Sequence, residues 1–120
     1  MEKKQEISGQ NLVNIIVEIL DSKKATHIEI IDLQNKGYLS QFVVIATSMA
    51  GKHGLSLLNY LKDDLKPKGV RFYAIDEDNE DWIIVDFGEI IVHIFTENHR
   101  NKYNLEEFLE KTFSKNGFNG

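Results

Sequence analysis

An uninterrupted apolar run, Phe42-Val43-Val44-Ile45-Ala46, is the sequence feature that most constrains the fold. Five residues are far too few to span a bilayer. A short apolar run without polar alternation is typical of a β-strand that is buried on both faces. The run therefore predicts a strand inside a covered sheet.

Two amphipathic helices are predicted, one before this strand and one after it. Residues 9–22 carry apolar side chains at helical spacing. These side chains are Leu12, Val13, Ile16, Ile19 and Leu20. The second helix has Thr47 and Ser48 as candidate N-caps and ends at Pro67-Lys68-Gly69. Its apolar stripe consists of Leu57, Leu58, Leu61 and Leu65.

A third helix is predicted near the end of the chain. The spacing in Asn104-Leu105-Glu106-Glu107 is that of a capping box, in which a polar N-cap is followed three residues later by Glu. The apolar face of this helix comprises Leu105, Phe108, Leu109 and Phe113.

Further strands are predicted from short runs rich in β-branched and aromatic residues. They are Ile28–Leu33, Val70–Ile75, Trp82–Asp86 and Glu89–Phe95. Phe87-Gly88 lies between the last two, so those two strands are predicted to form a hairpin.

The order helix, strand, strand, helix, three strands, helix predicts an α/β fold. We expect a single small domain with a mixed sheet of about five strands flanked by helices. A length of 120 residues fits one domain. We divide the chain into a flexible N-terminus (1–8), the domain (9–113) and a frayed polar tail (114–120).

The charge balance limits the classes of partner. Fourteen Lys and Arg face nineteen Asp and Glu, a formal net charge of −5. This balance argues against nucleic acid as the main partner and favours a basic protein. The sequence has no cysteine, no apolar stretch of membrane length and no signal-peptide pattern at its start. We therefore expect a cytoplasmic protein without a membrane partner.

An acidic run, Asp76-Glu77-Asp78-Asn79-Glu80-Asp81, separates two predicted strands. It contains five carboxylates in six positions. The run is compatible with a solvated loop, with an electronegative surface for a cationic partner, or with a divalent metal site, since it contains D-x-D. The fixed spacing of an EF-hand loop is absent.

Trp82, the only tryptophan, follows directly on the acidic run. In a strand, Trp82, Ile84 and Asp86 face one way and the aliphatic Ile83 and Val85 face the other. A Trp among charges on the less apolar face resembles an interface anchor. The alternative is a Trp beneath a helix with its N–H satisfied.

Other polar residues give weaker signals. The four histidines lack HExxH-type ligand spacing, and His93 is expected to be a hydrogen-bonded, half-buried residue because it shares a strand face with Ile91 and Phe95. The segment Thr47–Lys52 lacks the fingerprints of phosphate-binding loops, which favours an ordinary capped turn over an anion cradle.

The sequence resembles the Iojap-like ribosomal silencing factors over residues 10–110. The central D-W-x-x-x-D-[FY]-G-[DE]-x-x-V-H-x-F pattern is long and specific. The matching segments are Asp32-Leu33, Phe42–Thr47, Lys52-His53, Asp81–Phe95, Arg100, Tyr103 and Leu105-Glu106.

This resemblance implies a fold related in shape to nucleotidyltransferases, with no catalytic residues and no cofactor. It implies binding to the large ribosomal subunit through ribosomal protein L fourteen, a block of subunit joining, repression of translation when nutrients are short, and in several members a homodimer. On this basis we expect the partner-binding residues to be Trp82, Asp78, Glu80, Asp81, Asp86 and Glu89.

Five positions depart from the family pattern. Gln41-Phe42-Val43 stands where Asp-Tyr-Phe is usual, Ser48 where a Gly is usual, and Glu80 where a Gly is frequent. Two other functional classes stay open at this point. One is a magnesium-dependent nucleotidyltransferase-like enzyme, and the other is a dimeric acidic adaptor for a different basic protein.

Overall fold

A computed structural model of the chain describes residues 8–34 and 40–102, and its centre is one five-stranded sheet. The strands are β1 Thr26–Asp32, β2 Phe42–Ser48, β3 Ala74–Asp76, β4 Trp82–Asp86 and β5 Ile90–Thr96. The helices are α1 Gly9–Ser22, α2 Gly51–Leu65 and α3 Glu97–Lys102, with a 3₁₀ turn at Lys66–Lys68. The predicted α/β fold with a mixed, helix-flanked sheet is confirmed.

The strand order is β1-β2-β5-β4-β3, and only the central pair β2–β5 is parallel. Every residue of Phe42–Ser48 is buried, which confirms the prediction from the apolar run. Hydrogen-bonded neighbours on both sides and cover on both faces account for its lack of polar alternation.

The two faces of the sheet differ in what packs on them. The helical face carries Val44, Ile83, Val85, Val92 and Ile94, which form one buried cluster with α1 and α2. Each helix contributes the apolar stripe that its spacing predicted, and all nine of those side chains are buried. We call the opposite side the tryptophan face, defined by Trp82, Ile84 and Asp86.

The predicted N-caps of α2 are wrong. Thr47 and Ser48 lie in β2, which stays paired with β5 as far as Ser48 and Thr96, and the N-cap is Ala50. The His53 ring acts at this helix end instead: its Nδ1 accepts a hydrogen bond from the Met49 N–H at 2.9 Å. Nδ1 is thus an acceptor, so the proton is on Nε2, which donates to the Lys23 carbonyl at 2.9 Å.

The strand predicted over Val70–Ile75 is shorter in the structure. Only Ala74–Asp76 pairs with β4, because β4 itself ends at Asp86, the partner of Ala74. Phe72 packs instead against the ring of Phe87, with centroids 4.7 Å apart.

Other boundaries need smaller changes. The predicted hairpin turn is confirmed: Phe87 N–H donates to the Ile90 carbonyl, and Gly88 has φ +97°, a conformation that favours glycine. Helix α3 was not predicted. The helix expected from Asn104 onward lies outside the described residues, and the proposed limits of the two chain ends stay predictions. Within the described ranges, no helix is long and apolar enough to cross a membrane.

Candidate functional site

Strand β4 has the predicted alternation. Ile83 and Val85 are fully buried on the helical face, whereas Trp82, Ile84 and Asp86 are half-buried on the tryptophan face. Pairing with β5 places Phe95 opposite Trp82 and His93 opposite Ile84. The tryptophan face therefore joins one large aromatic side chain to further aromatic and aliphatic groups on the next strand.

Trp82 lies within a cluster of rings. Its centroid is 4.9 Å from Phe95, 5.9 Å from His99 and 6.1 Å from His93. Its indole Nε1 donates a hydrogen bond to His93 Nδ1 at 3.0 Å. The indole is thus neither sealed in the core nor loosely held: its polar atom is satisfied inside the protein while part of its ring remains exposed.

His93 is neutral at physiological pH. Burial lowers the pKa of its imidazole from 6.5 to about 4, since the charged form loses its hydration. Because Nδ1 accepts from Trp82, the single ring proton is on Nε2. The expectation of a hydrogen-bonded, half-buried histidine is confirmed, and its role in the cluster is to orient the indole.

Asp81 is the carboxylate that the chain places next to Trp82. Its Oδ1 accepts a hydrogen bond from Thr96 Oγ1 at 3.2 Å, and its carbonyl accepts from the Thr96 N–H at 3.1 Å. The residue is exposed. It also lines a cleft of about 380 Å³ with Asn98, His99 and Lys102.

Helix α3 frames the same end of the face. Arg100 Nη1 donates to the His27 carbonyl at 2.9 Å and to Thr47 Oγ1 at 2.7 Å, which fixes α3 to β1 and β2. His99 is thereby held beside Trp82 and Phe95.

The acidic loop contributes one residue that the sequence analysis missed. Asp76 pairs with Ile84 in the β3–β4 register, so it belongs to the tryptophan face. The sequence does not give the pairing of β3 with β4, and without that pairing Asp76 cannot be assigned to the face of Trp82. Asp78 is exposed in the loop, and its N–H donates to Asp76 Oδ1 at 3.2 Å.

The remaining predicted residues lie apart from Trp82. Asp86 shares its face but is four residues along the strand, about 13 Å away, and its Oδ1 accepts from the Gly88 N–H at 2.8 Å. Glu89 Oε2 accepts from the Gly9 N–H at the start of α1, at 3.0 Å. Both are engaged at the hairpin turn.

Glu80 is directed towards α2, which covers the helical face. A Cβ added at Gly51 would lie 2.5 Å from Glu80 Oε1 and 2.8 Å from Glu80 Cβ. This close approach puts the carboxylate near the N-terminus of α2, where a negative charge is favourable. Of the six predicted residues, Trp82 and Asp81 both adjoin His99, whereas Asp78 is bonded to Asp76 within the loop.

The described residues offer little for metal or phosphate chemistry. Within residues 8–34 and 40–102, no three His, Asp or Glu side chains converge on a point where a metal could bind. Asp76 of the D-x-D accepts from the backbone of its own loop. In the segment after β2, the Met49 N–H donates to His53 and the Gly54 N–H to the Ala50 carbonyl, as in an ordinary turn into a helix.

Comparisons with known proteins agree with this architecture. Residues 6–116 match the model of the family described as "Ribosomal silencing factor during starvation". Ribosomal silencing factor RsfS of Haemophilus influenzae is 31% identical over 80% of this chain and 95% of its own, and that of Bacillus subtilis is 24% identical over 84% and 86%. A crystal structure from Chromobacterium violaceum superposes with a TM-score of 0.78 at 26% identity, covering 87% of this chain and 86% of that one.

The fold and the site define a small α/β protein with a single sheet, one face of which carries a cluster of aromatic side chains around Trp82. The match over residues 6–116 spans nearly the whole chain. The chain belongs to the ribosomal silencing factor family.

Proposed function

We propose that the protein binds the large ribosomal subunit through the tryptophan face and thereby prevents joining of the small subunit. The observation that carries this proposal is the half-buried Trp82, held by His93 and bordered by Asp81 and Asp76, in a member of the ribosomal silencing factor family. The result of binding is repression of translation when nutrients are short.

The chemistry of the face suits a cationic protein surface. The Trp82 N–H is already used by His93, so a partner would meet the exposed part of the ring together with the half-buried Ile84 and Ile91. Asp76, Asp78 and Asp81 would meet Lys and Arg side chains around this apolar centre. An aromatic anchor with a charged rim is the usual anatomy of a protein interface.

The proposed partner is ribosomal protein L fourteen, which we expect to supply those cationic groups. Because the indole is oriented by a hydrogen bond and by the rings of His93, Phe95 and His99, little side-chain freedom would be lost on binding. Of the predicted contact residues, Trp82 and Asp81 are central to this proposal. Asp86, Glu80 and Glu89 would contribute at its edges or indirectly.

The mechanism is occupancy. A specific interface buries roughly 1,200–2,000 Å² in total, enough for a bound domain to obstruct a second surface that docks at the same place. Binding to the large subunit excludes the small subunit from the same place, and no covalent bond needs to be made or broken. We further propose that the protein acts in the cytoplasm and can form a homodimer, as the resemblance to the family implies.

Co-sedimentation with purified ribosomal subunits tests the proposal. We expect the protein to pellet with free large subunits and not with preformed whole ribosomes, and to slow the joining of added small subunits as followed by light scattering. Equal recovery with small subunits alone would contradict it. Tyr60→Ala, an exposed aromatic on α2, is the matched control variant and should behave as wild type.

A further inference from the structure

Strand β1 is an edge of the sheet with an open groove beside it. Within the described residues β1 pairs with β2 alone, and five of its seven residues are exposed. The groove lies between β1 and α1 and has a volume of about 640 Å³. Its lining includes Val17, Glu18, Asp21, Ile28, Glu29 and Ile30.

The backbone of this edge is directed for pairing with another strand. Leu33 N–H donates to the Gln41 carbonyl at 2.7 Å, in the same register that pairs Ile31 with Val43. Hydrogen-bonded and non-bonded residues alternate in an antiparallel ladder. The N–H and C=O of Ile30 and Asp32 therefore point away from β2, along the open edge.

The groove combines an apolar floor with negative charge. Ile30 is 45% exposed, although it is a large aliphatic residue, and it lies beside Val17 and Ile28. Glu18 and Asp21 of α1 supply two carboxylates, and no Lys or Arg is among the lining residues. Glu29 also lines the groove, but its pairing with Ile45 directs its side chain to the tryptophan face. Asp21 also lies in the last turn of α1, where the helix dipole disfavours a negative charge.

Charge decides between two kinds of occupant. A second copy of this chain pairing through its own β1 would bring Glu29 and Asp32 of one copy towards the same acids of the other. Like charges placed across paired strands are destabilising. A segment rich in Lys or Arg would instead neutralise the groove and relieve the repulsion among its carboxylates.

We propose that the α1–β1 groove binds an extended, cationic protein segment, which adds a strand to the sheet at β1 and turns both apolar and basic side chains towards α1. Main-chain hydrogen bonds to Ile30 and Asp32 fix its direction. Its apolar side chains cover Ile30 and Val17, and its basic side chains meet Glu18 and Asp21. This surface is separate from the tryptophan face and gives the protein a second contact with a basic protein.

The decisive experiment uses the purified full chain, labelled with nitrogen-15, and a synthetic probe. The probe is an eight-residue peptide of two Val-Val-Lys-Lys repeats with blocked ends, so that each face of the strand carries both Val and Lys. We expect hydrogen exchange to slow at the Ile30 and Asp32 amides, while the Glu29 and Ile31 amides, directed at β2, change little. A peptide with Glu in place of every Lys should produce no protection.

Two double variants with the same change in net charge test whether the position of the carboxylates in the groove matters. Glu18→Lys with Asp21→Lys should weaken the Lys–Val peptide about tenfold. Asp63→Lys with Asp64→Lys, the same charge change on exposed α2 positions, should leave its affinity nearly unchanged. Thermal melting tests whether each variant is folded. If a variant is unfolded, the exchange data on the wild-type protein still test the proposal.

Three outcomes would overturn the proposal. In the first, the cationic peptide does not slow hydrogen exchange at the Ile30 and Asp32 amides. In the second, the Glu–Val peptide slows it equally. In the third, exchange is already slow without peptide and slows further as the protein concentration rises. The last outcome would assign the edge to a second copy of the chain. None of these results depends on ribosomes, so this proposal and the one for the tryptophan face can fail independently.

Discussion

Trp82 and His93 form a single unit: the indole Nε1 donates to the imidazole Nδ1 at 3.0 Å across the β4–β5 pair. The bond satisfies the indole N–H and the imidazole Nδ1, and it holds the half-buried Trp82 side chain in one orientation. The bond also requires a neutral His93, and burial keeps the imidazole neutral by lowering its pKa to about 4.

Removing the indole should abolish the main contact of the tryptophan face. Trp82→Ala is expected to cost about 2 kcal/mol or more of binding to the large subunit, because buried aromatic anchors dominate interfaces. Sedimentation or calorimetry with purified large subunits measures the loss. Tyr60→Ala is the control, and melting curves establish that both variants are folded. Wild-type affinity for a folded Trp82→Ala protein would remove Trp82 as the anchor.

His93 should make stability depend on pH in a defined window. Its pKa is about 4 in the folded chain against 6.5 as a reference, so between these values the unfolded chain binds more protons. The free energy of unfolding should be highest above pH 6.5 and fall as the pH drops towards 4, by at most about 3 kcal/mol.

Denaturant titrations of wild type and His93→Gln isolate this contribution. A glutamine can still accept from the Trp82 N–H and does not titrate, so its curve should be flatter between pH 6.5 and 4. The other histidines are common to both proteins and cancel in the difference. Parallel curves for the two proteins would show that His93 is not the group responsible.

Gly51 should tolerate no side chain while Glu80 is present. In Gly51→Ala the new Cβ would meet Glu80 Cβ at 2.8 Å, an atom that cannot rotate away, and we expect a loss of about 1 kcal/mol or more of stability. Combining it with Glu80→Gly should recover most of that loss, whereas Ser56→Ala on the exposed side of α2 should be near neutral. Equal effects of Gly51→Ala with and without Glu80 would contradict the contact.

Asp81 should act on binding through its charge alone. Asp81→Asn keeps an oxygen that can accept from Thr96 Oγ1, so the fold should be unaffected. We expect slower association with large subunits and a weaker salt dependence, since charges at an interface rim mainly steer encounter. Surface plasmon resonance at several salt concentrations measures both, with Asp63→Asn as the control. An unchanged salt dependence would place Asp81 outside the interface.

The sequence was sufficient for the parts of the fold that depend on local periodicity. The stripes of α1 and α2, the buried run of β2 and the alternation of Trp82 with Ile83 all follow from spacing along one element. In the described part of α3, Glu97–Lys102, no side chain is buried, so this stretch has no apolar stripe from which a helix could be predicted.

Parts of the site that depend on contacts between elements could not be predicted. Glu80 and Asp81 are adjacent in sequence, yet one approaches Gly51 and the other bonds Thr96. Nothing in the acidic run distinguishes them, because the difference arises from the packing of α2 against the sheet. Likewise, His93 was expected to be half-buried, but its bond to Trp82 depends on the pairing of two strands.

The two central strands meet across a long stretch of chain, as the Ser48 contact with the Phe95 carbonyl over 47 positions illustrates, whereas Trp82 and His93 are only 11 positions apart. Closing a long loop costs more entropy than closing a hairpin, so contacts of the first kind tend to form late. We therefore expect the β4–β5 hairpin to assemble its aromatic cluster early during folding, before the parallel pair has closed. The tryptophan face would then be outlined first, and the closing of the parallel pair would fix it in place.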